Sequence, residues 1–258
     1  MEDWLKDILR RLRIDDASFI EIESKRRVVP EEVDPLRKRI LKDPRVRFKK
    51  SENFFDQFLD TPRRVLFRRG ASLRLRYKRD GTRVYLQYKG PGFHHCGILY
   101  RSEFSTKALR GVMREESHHD VIRFDGATVR DIMRHELPDD MKAAMKRHLG
   151  PGILDQVFLA PIVCAYHKEK FVLDHGAAFL EPSIDKVFAF HISRSGIHQL
   201  SAFFEYEDEV KSDKNSLKAK YAHLDDLLSF DAELARRFNM PREPLDKYHR
   251  CASFFLSD

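Results

Sequence analysis

The chain is poor in cysteine: Cys96, Cys164 and Cys251 are odd in number, far apart, and form no CxxC pair. That usage supports neither a zinc knuckle nor a disulfide framework, and it suits a reducing cytosol. Long apolar runs are missing too. The opening MEDWLKDILRRLR has no apolar core of the signal-peptide kind, and no 18-residue apolar run occurs. The expectation is therefore a cytoplasmic protein with no integral membrane segment. P-loop, GxGxxG, HExxH and GxSxG patterns are also absent, which removes the usual nucleotide-binding, zincin and serine-hydrolase routes. There is no internal repeat and no low-complexity segment.

What the chain does carry is charge. A formal +7 points to acidic partners such as phosphates, nucleic acid or anionic lipid. The basic residues sit in strand-like segments beside acids rather than in a tail. That favours a discrete pocket and makes nucleic acid the weaker candidate for a partner. With 258 residues and 42% hydrophobic side chains, a sizeable core is available. One domain over residues 1–258 is expected, since β-barrels reach this length as single units.

Alternation marks the strands. The reading predicts strands at Phe19 to Val28, Asn53 to Pro62, Ser72 to Lys78, Val84 to Lys89 and Ile98 to Ser105, and then at about 158–173, 177–190 and 201–211. Asp80-Gly81 is a hairpin signal, Gly90-Pro91-Gly92 a strand stop and Ser195-Gly196 a turn. Helical spacing predicts an amphipathic helix over 3–13, packed through Trp4, Ile8 and Leu12, and a second over about 31–42 with Val33, Leu36 and Ile40 buried. Residues 106–150 read as a helical insert with Leu109 and Met113, then Val129, Ile132 and Met133, then Met141, Ala144, Met145 and Leu149, ended by Gly150-Pro151-Gly152. A long helix is expected over about 217–238, with Ser216 as N-cap and Leu217, Tyr221, Leu224, Leu228 and Phe238 inward. The tail to residue 258 is apolar enough to dock back. The fold class is α+β: eight antiparallel strands that curl or close, with helices outside.

The functional signal lies on the polar faces of those strands. In GASLRLRYK, Ser72, Arg74, Arg76 and Lys78 share one side while Leu73, Leu75 and Tyr77 share the other. Carboxylates alternate elsewhere: Glu21 and Glu23 before Lys25, then Glu205, Glu207 and Glu209. Tyr85, Gln87 and Lys89 share a face, as do Arg101 and Glu103, Lys168 and Lys170, and Glu181, Ser183 and Asp185. A half-exposed sheet with cross-strand ion pairs of about 0.2–1 kcal/mol each is the plain alternative. Signs segregate by strand, however, and such groups inside a barrel need partners. Phosphates satisfy an Arg/Lys wall, and Mg²⁺ or Mn²⁺ satisfies glutamates. His94-His95 and His118-His119 have no ligand-spaced carboxylate or cysteine and read as turn or surface residues.

Five blocks now matter together: Glu21-Ile22-Glu23-Ser24-Lys25, Phe58-Leu59-Asp60-Thr61-Pro62, Leu73-Arg74-Leu75-Arg76, Tyr88-Lys89-Gly90-Pro91 and Arg101-Ser102-Glu103. In this order and spacing they resemble the CYTH superfamily, the triphosphate tunnel metalloenzymes, which include tripolyphosphatases, thiamine triphosphatases and class IV adenylate cyclases. The second half is similar more loosely: Lys168 stands where arginine is commoner, Asp185 matches a late-strand aspartate, and Glu205-Tyr206-Glu207 matches a terminal ExE. The insert and the tail Asp246-Lys247-Tyr248 depart from the smallest members. Tail and late strands look slightly like the polyphosphate polymerase domain of vacuolar transporter chaperones.

The resemblance implies a closed tunnel of eight antiparallel strands. It implies that Lys25, Arg74, Arg76, Lys89, Arg101, Lys168 and Lys170 grip tripolyphosphate or a nucleoside or other organic triphosphate. Glu21, Glu23, Glu103, Asp185, Glu205 and Glu207 would hold Mg²⁺ or Mn²⁺, with Glu21, Glu23 and Lys25 at the chemistry. The expected activity is metal-dependent triphosphate hydrolysis. The alternatives are an ATP-using polyphosphate polymerase, an adenylate cyclase, and a non-catalytic polyphosphate- or RNA-binding module. The last would want stacking aromatics, and the charged faces offer only Tyr85 and Tyr166.

Overall fold

A computed structural model of the chain describes residues 2–78, 83–109, 126–174, 178–193, 195–212 and 217–256. Nine strands are described: β1 (Ile20–Val28), β2 (Val46–Asp60), β3 (Ser72–Lys78), β4 (Val84–Lys89), β5 (Phe93–His95), β6 (Ile98–Ser105), β7 (Leu159–Asp174), β8 (Ala178–Ser193) and β9 (Gly196–Ser212). Each of β1, β9, β8, β7, β2, β3, β4 and β6 pairs antiparallel with the next, and β6 pairs back onto β1. Eight strands thus close a barrel. The ninth, β5, lies along β6 beyond the point where β4 stops. The break between them is Gly90-Pro91-Gly92. A Cβ on Gly90 would stand 2.4 Å from Ser102 Oγ and 2.6 Å from His148 Cε1, so the approach there admits only glycine. The β5–β6 turn, Cys96-Gly97, has positive φ at both residues, as a two-residue type I′ hairpin requires.

Period-two alternation sorts the barrel into two faces, and the main core is outside it. Leu73, Leu75 and Tyr77 of β3 are fully buried with Ile20 and Ile22 of β1 and Leu86 and Tyr88 of β4. Helices cover this face: α1 (Glu2–Leu12) through Ile8 and Leu12, α2 (Val33–Lys42) through Leu36 and Ile40, and others C-terminally. Trp4 of α1 packs edge-on to Tyr100, so this helix docks on the barrel as expected. His148 ties three elements together, meeting Tyr88 Oη at 2.9 Å and the carbonyl of Leu12 at 2.8 Å.

Several boundaries differ from the sequence expectation. β2 starts at Val46, before the apolar run, because exposed residues up to Ser51 still pair with β7. β9 begins at Gly196, directly after the turn. In the insert, Leu109 is extended and bridges Val84, and the described helices are α3 (Val65–Arg68) before the insert, then α4 (Gly126–Asp131) and α5 (Asp139–Leu149) within it, with a π turn between those two. Val129, Ile132, Met133, Met141, Ala144 and Met145 are buried as anticipated. The long C-terminal helix is two, α6 (Leu217–Ala222) and α7 (Leu224–Arg237), broken at His223. Leu227, Phe230, Asp231 and Leu234 are buried along α7, Phe238 is buried just past its end and Leu224 and Leu228 pack partly against the core as expected, whereas Tyr221 is exposed. The buried face takes in Asp231 as well because it holds the outward-facing Arg26 of β1 in a two-pronged ion pair. Asp80-Gly81, Met113, His118-His119 and Ser216 lie outside the described residues.

The tail is ordered as α8 (Lys247–Leu256), which enters one end of the barrel. Tyr248, Cys251 and Ala252 pack there against inward side chains of β2, β7, β8 and β9: Phe58, Ile162, Val187 and Phe203. This is a second, smaller core, and it plugs the tunnel. At the far end Lys49, Lys78 and Lys211 keep a third to a half of their side chains exposed, so that mouth meets solvent.

Candidate functional site

Between plug and open mouth lies a cavity lined by nine cationic and seven acidic side chains. Strand alternation aims all but Asp246 and Lys247 inward from the walls, and three clusters result. In the first, β1 meets β4 and β6. Glu21 accepts from Lys89 Nζ at 2.7 Å and Arg101 Nε at 2.6 Å, and Glu23 accepts from Arg101 Nη2 at 2.7 Å. Burial works against the Glu21 carboxylate, but Arg101 and Lys89 hold it well below its ordinary range.

In the second cluster, β3 meets β2. Arg76 clasps Asp56 through two contacts of 2.8 Å, Arg74 Nη1 reaches the same carboxylate at 2.8 Å, and Tyr166 Oη donates to it at 3.1 Å. Two guanidinium groups are thereby fixed side by side, with other donors free to face the cavity. Burial opposes the Asp56 charge, and the two arginines keep the carboxyl far below its usual value.

The third cluster gathers β1, β7, β8 and β9 around α8. Lys25 stands 3.0 Å from Glu207, and Lys168 stands 3.3 Å from Asp185 and 2.5 Å from Glu207. Lys247, from the first turn of α8, reaches Asp185 at 2.8 Å, Glu207 at 2.7 Å and Glu205. Asp185 and Glu205 are fully buried behind it and do not line the cavity. Burial would discharge Lys247, yet these three carboxylates hold its value well above normal.

Two carboxylate triads have ligand atoms within 4.8 Å of one another: Glu21, Glu103 and Glu209, and Asp185, Glu205 and Glu207. Only oxygen donors are present, the set that hard divalent cations prefer. In the first triad, burial together with Glu21 and Glu103 pushes the Glu209 carboxyl up to about 7 against the pull of Lys211. In the second, Asp185 Oδ1 is buried without a hydrogen bond. Both observations fit a group that gains from a cation.

Every residue nominated from sequence lies in these clusters or beside them. Lys170 sits nearer the open mouth, 3.5 Å from Glu181. Sequence reasoning passed over Glu209 as a ligand, although it continues the alternation of Glu205 and Glu207. It also missed Asp56, an acid between Phe54 and Phe58 at the inward period of β2, and Lys211, and it took Tyr166 only as a stacking candidate. Asp246 and Lys247 reach the cavity from a helix whose approach no local pattern encodes.

The chain belongs to the CYTH domain family, whose model matches residues 20–158, more than half of its length. Among curated proteins none matches it in sequence. Its fold is similar to that of a Bacillus halodurans protein named as an adenylate cyclase, at 16% identity and a TM-score of 0.50, covering 89% of this chain and 96% of that one. It is similar also to HpAC1 from Hippeastrum, named as an adenylyl cyclase and described with a dominant triphosphatase activity, at 13% identity and a TM-score of 0.50, covering 92% and 96%. A Pyrococcus horikoshii protein, PH1819, aligns over 90% of this chain and 98% of its own at 16% identity with a TM-score of 0.49. At these identities the likeness to the first two establishes the fold alone. Among the described residues no helix is long and apolar enough to cross a membrane.

Proposed function

We propose that the protein is a metal-dependent triphosphatase that cleaves tripolyphosphate or an organic triphosphate in this tunnel. The observation that carries the reading is the mixed lining: nine cations and seven carboxylates converge on one cavity plugged at one end. A polyanion alone would be repelled by the carboxylates and a metal alone by the cations, so the lining suits the two together. Glu21, Glu103 and Glu209, with Glu23 adjacent, are the residues that would hold Mg²⁺ or Mn²⁺, and Asp185, Glu205 and Glu207 form a second oxygen set behind Lys247. A bound divalent ion supplies neutralisation of the charge that develops on the transferring phosphoryl group.

The chain's own groups do the rest. Arg74 and Arg76, fixed by Asp56, present forks to phosphate oxygens, and Lys25, Lys89, Arg101, Lys168 and Lys170 add fixed positive charge. Because ion pairs already hold these cations in place, little reorganisation accompanies binding, and positioning plus charge stabilisation are the main contributions in phosphoryl transfer. The plug bears on the reaction type. Tyr248 and Phe58 stack across one end at 5.1 Å, leaving a growing polymer no straight exit. A short substrate and a water fit such a blind tunnel, which supports hydrolysis over polymerisation. The seven carboxylates in the lining likewise disfavour a module that only binds RNA.

The test is a screen of tripolyphosphate, ATP, thiamine triphosphate and long polyphosphate with Mg²⁺ and Mn²⁺, with all products resolved. Inorganic phosphate released only with metal is the expected result. Pyrophosphate with a cyclic nucleotide from ATP would make the protein a cyclase, a polymer would make it a polymerase, and full turnover in excess chelator would end the metal requirement.

A further inference from the structure

Two of the three cysteines, 87 residues apart, meet where α8 enters the barrel. Cys164 faces inward from β7, and Cys251 lies on the buried side of α8. Both are fully buried, and their Sγ atoms are 2.8 Å apart. That is closer than two sulfurs in ordinary contact and within about 1 Å of a disulfide bond length. The approach does not depend on the thiols themselves. α8 is seated by Tyr248 Oη, which donates to Asp60 at 2.6 Å, by His249 against Phe67, and by Lys247 on its carboxylates. A mostly apolar cavity lined by Ile162, Tyr248, Phe255 and Ala252, the residue after Cys251, lies along the same face of α8. Cys96 is exposed on the β5–β6 turn.

We propose that Cys164 and Cys251 are a redox modification site, joined by a reversible disulfide that locks α8 into the tunnel end. Both S–H bonds break and one S–S bond forms, with the loss of two protons and two electrons. A hydroperoxide takes them, its O–O bond breaking to give water and an alcohol, or water alone from hydrogen peroxide. A small dithiol returns the pair to its reduced form by exchange. Burial holds the Cys164 thiol well above its ordinary value, so the thiolate is scarce while α8 is packed. Oxidation is therefore slow and follows partial opening of the helix. Once linked, α8 cannot withdraw, and Lys247 stays on Asp185 and Glu207.

The experiment uses the full chain carrying Cys96→Ser, treated with hydrogen peroxide under native conditions, and its readouts do not involve turnover. The expected result is joint loss of both thiols counted after denaturation, a mass lower by two hydrogens, and one linked peptide joining β7 to α8. Dithiothreitol restores both thiols. Amide exchange in α8 slows by about tenfold or more in the oxidised form. With Cys251→Ala added, Cys164 forms no linked peptide and exchange in α8 shows no such slowing. Two thiols still titratable, separate sulfinic acids, or a linked peptide with unchanged exchange in α8 would each overturn the proposal.

Discussion

Glu21, Glu103 and Glu209 face the cavity near its open end, whereas Asp185, Glu205 and Glu207 sit behind the ammonium of Lys247. The two triads have the same donor type and similar spacing, and each mixes lowered with raised carboxyls: Glu21 and Glu103 lie below their ordinary range while Glu209 lies above it, and Glu207 lies below while Glu205 lies above. Burial and two neighbouring carboxylates raise Glu209 to about 7. Burial also opposes the charge of Glu207, yet Lys168, Lys247 and Lys25 bring it well below the ordinary range. In the first triad the cations Lys89 and Arg101 are taken up by Glu21, which leaves Glu209 raised, whereas the second triad carries a cation of its own on a helix from the far end of the chain. An acidic cluster in a sequence therefore does not by itself mark a vacant cation site, because the supply of counter-charge is a tertiary property.

The largest expected effect removes that built-in cation. Lys247→Ala leaves three carboxylates buried together, which should destabilise the metal-free protein by about 3–5 kcal/mol. Added Mn²⁺ should recover much of the loss, as a ligand bound only by the folded chain does. Urea unfolding with and without Mn²⁺ decides it. Equal stability of variant and parent in chelator would erase the distinction between the triads.

The wall between the triads gives the next effect, from neighbours on one strand. Leu75 is fully buried in the outer core, so Leu75→Ala should lower stability by about 2–5 kcal/mol with tripolyphosphate affinity unchanged. Arg74→Ala should instead weaken binding by about 1.5–3 kcal/mol, the worth of a charged hydrogen bond. Calorimetric titration beside thermal unfolding separates the two, and similar behaviour of both variants would refute the assignment of faces.

That strand was also the most legible part of the sequence. Arg74 and Arg76 alternate with Leu73 and Leu75 without interruption, and period two alone assigns every side chain. Glu21, Glu23 and Lys25 read as clearly, and the closed barrel followed from strand count and the five family blocks. What stayed hidden depends on long-range packing. Asp56 stood between Phe54 and Phe58 with no local sign of a partner until β3 laid two arginines on it. Lys247, on a helix that reaches back across the barrel, had no periodic signal tying it to Asp185. Asp231, absent from the expected stripe of α7, is buried there by its ion pair with Arg26 of β1. The Cys164–Cys251 encounter is of the same kind: spacing in sequence says nothing about sulfurs brought together by a terminal helix.

A smaller effect tests Glu209 of the first triad through pH. Glu209 has its folded value raised to about 7 from 4.5, so the folded chain binds that proton more tightly than the unfolded one. Its contribution is fully present below about 4.5 and is lost as pH rises through 7. Partial exposure and screening limit the slope to about 1–3 kcal/mol over this window. Glu209→Gln should remove that slope in metal-free protein, and saturating Mn²⁺ should flatten it in the parent. Glu207→Gln should do the reverse and destabilise at neutral pH, because Lys168, Lys247 and Lys25 lose a partner. Denaturation midpoints across pH 4.5–8 measure both, and a common sign for the two variants would break the comparison.

The smallest effect belongs to the open mouth, where solvent replaces protein as the source of counter-charge. Lys78 pairs with Glu52 at 2.6 Å, but half of its side chain is exposed. Water and salt screen such a charge, so Lys78→Ala should weaken tripolyphosphate binding by only about 0.2–1 kcal/mol at low ionic strength. In 1 M salt the screening length falls to about 3 Å, and the difference from the parent should vanish. Arg74, buried and held by Asp56, lies beyond the reach of that screening, so the loss caused by Arg74→Ala should persist in the same salt. Affinity measured for both variants at low and high salt grades the tunnel from mouth to plug. If the Lys78→Ala loss survived high salt while the Arg74→Ala loss disappeared, the grip would lie at the rim and not beside the two triads.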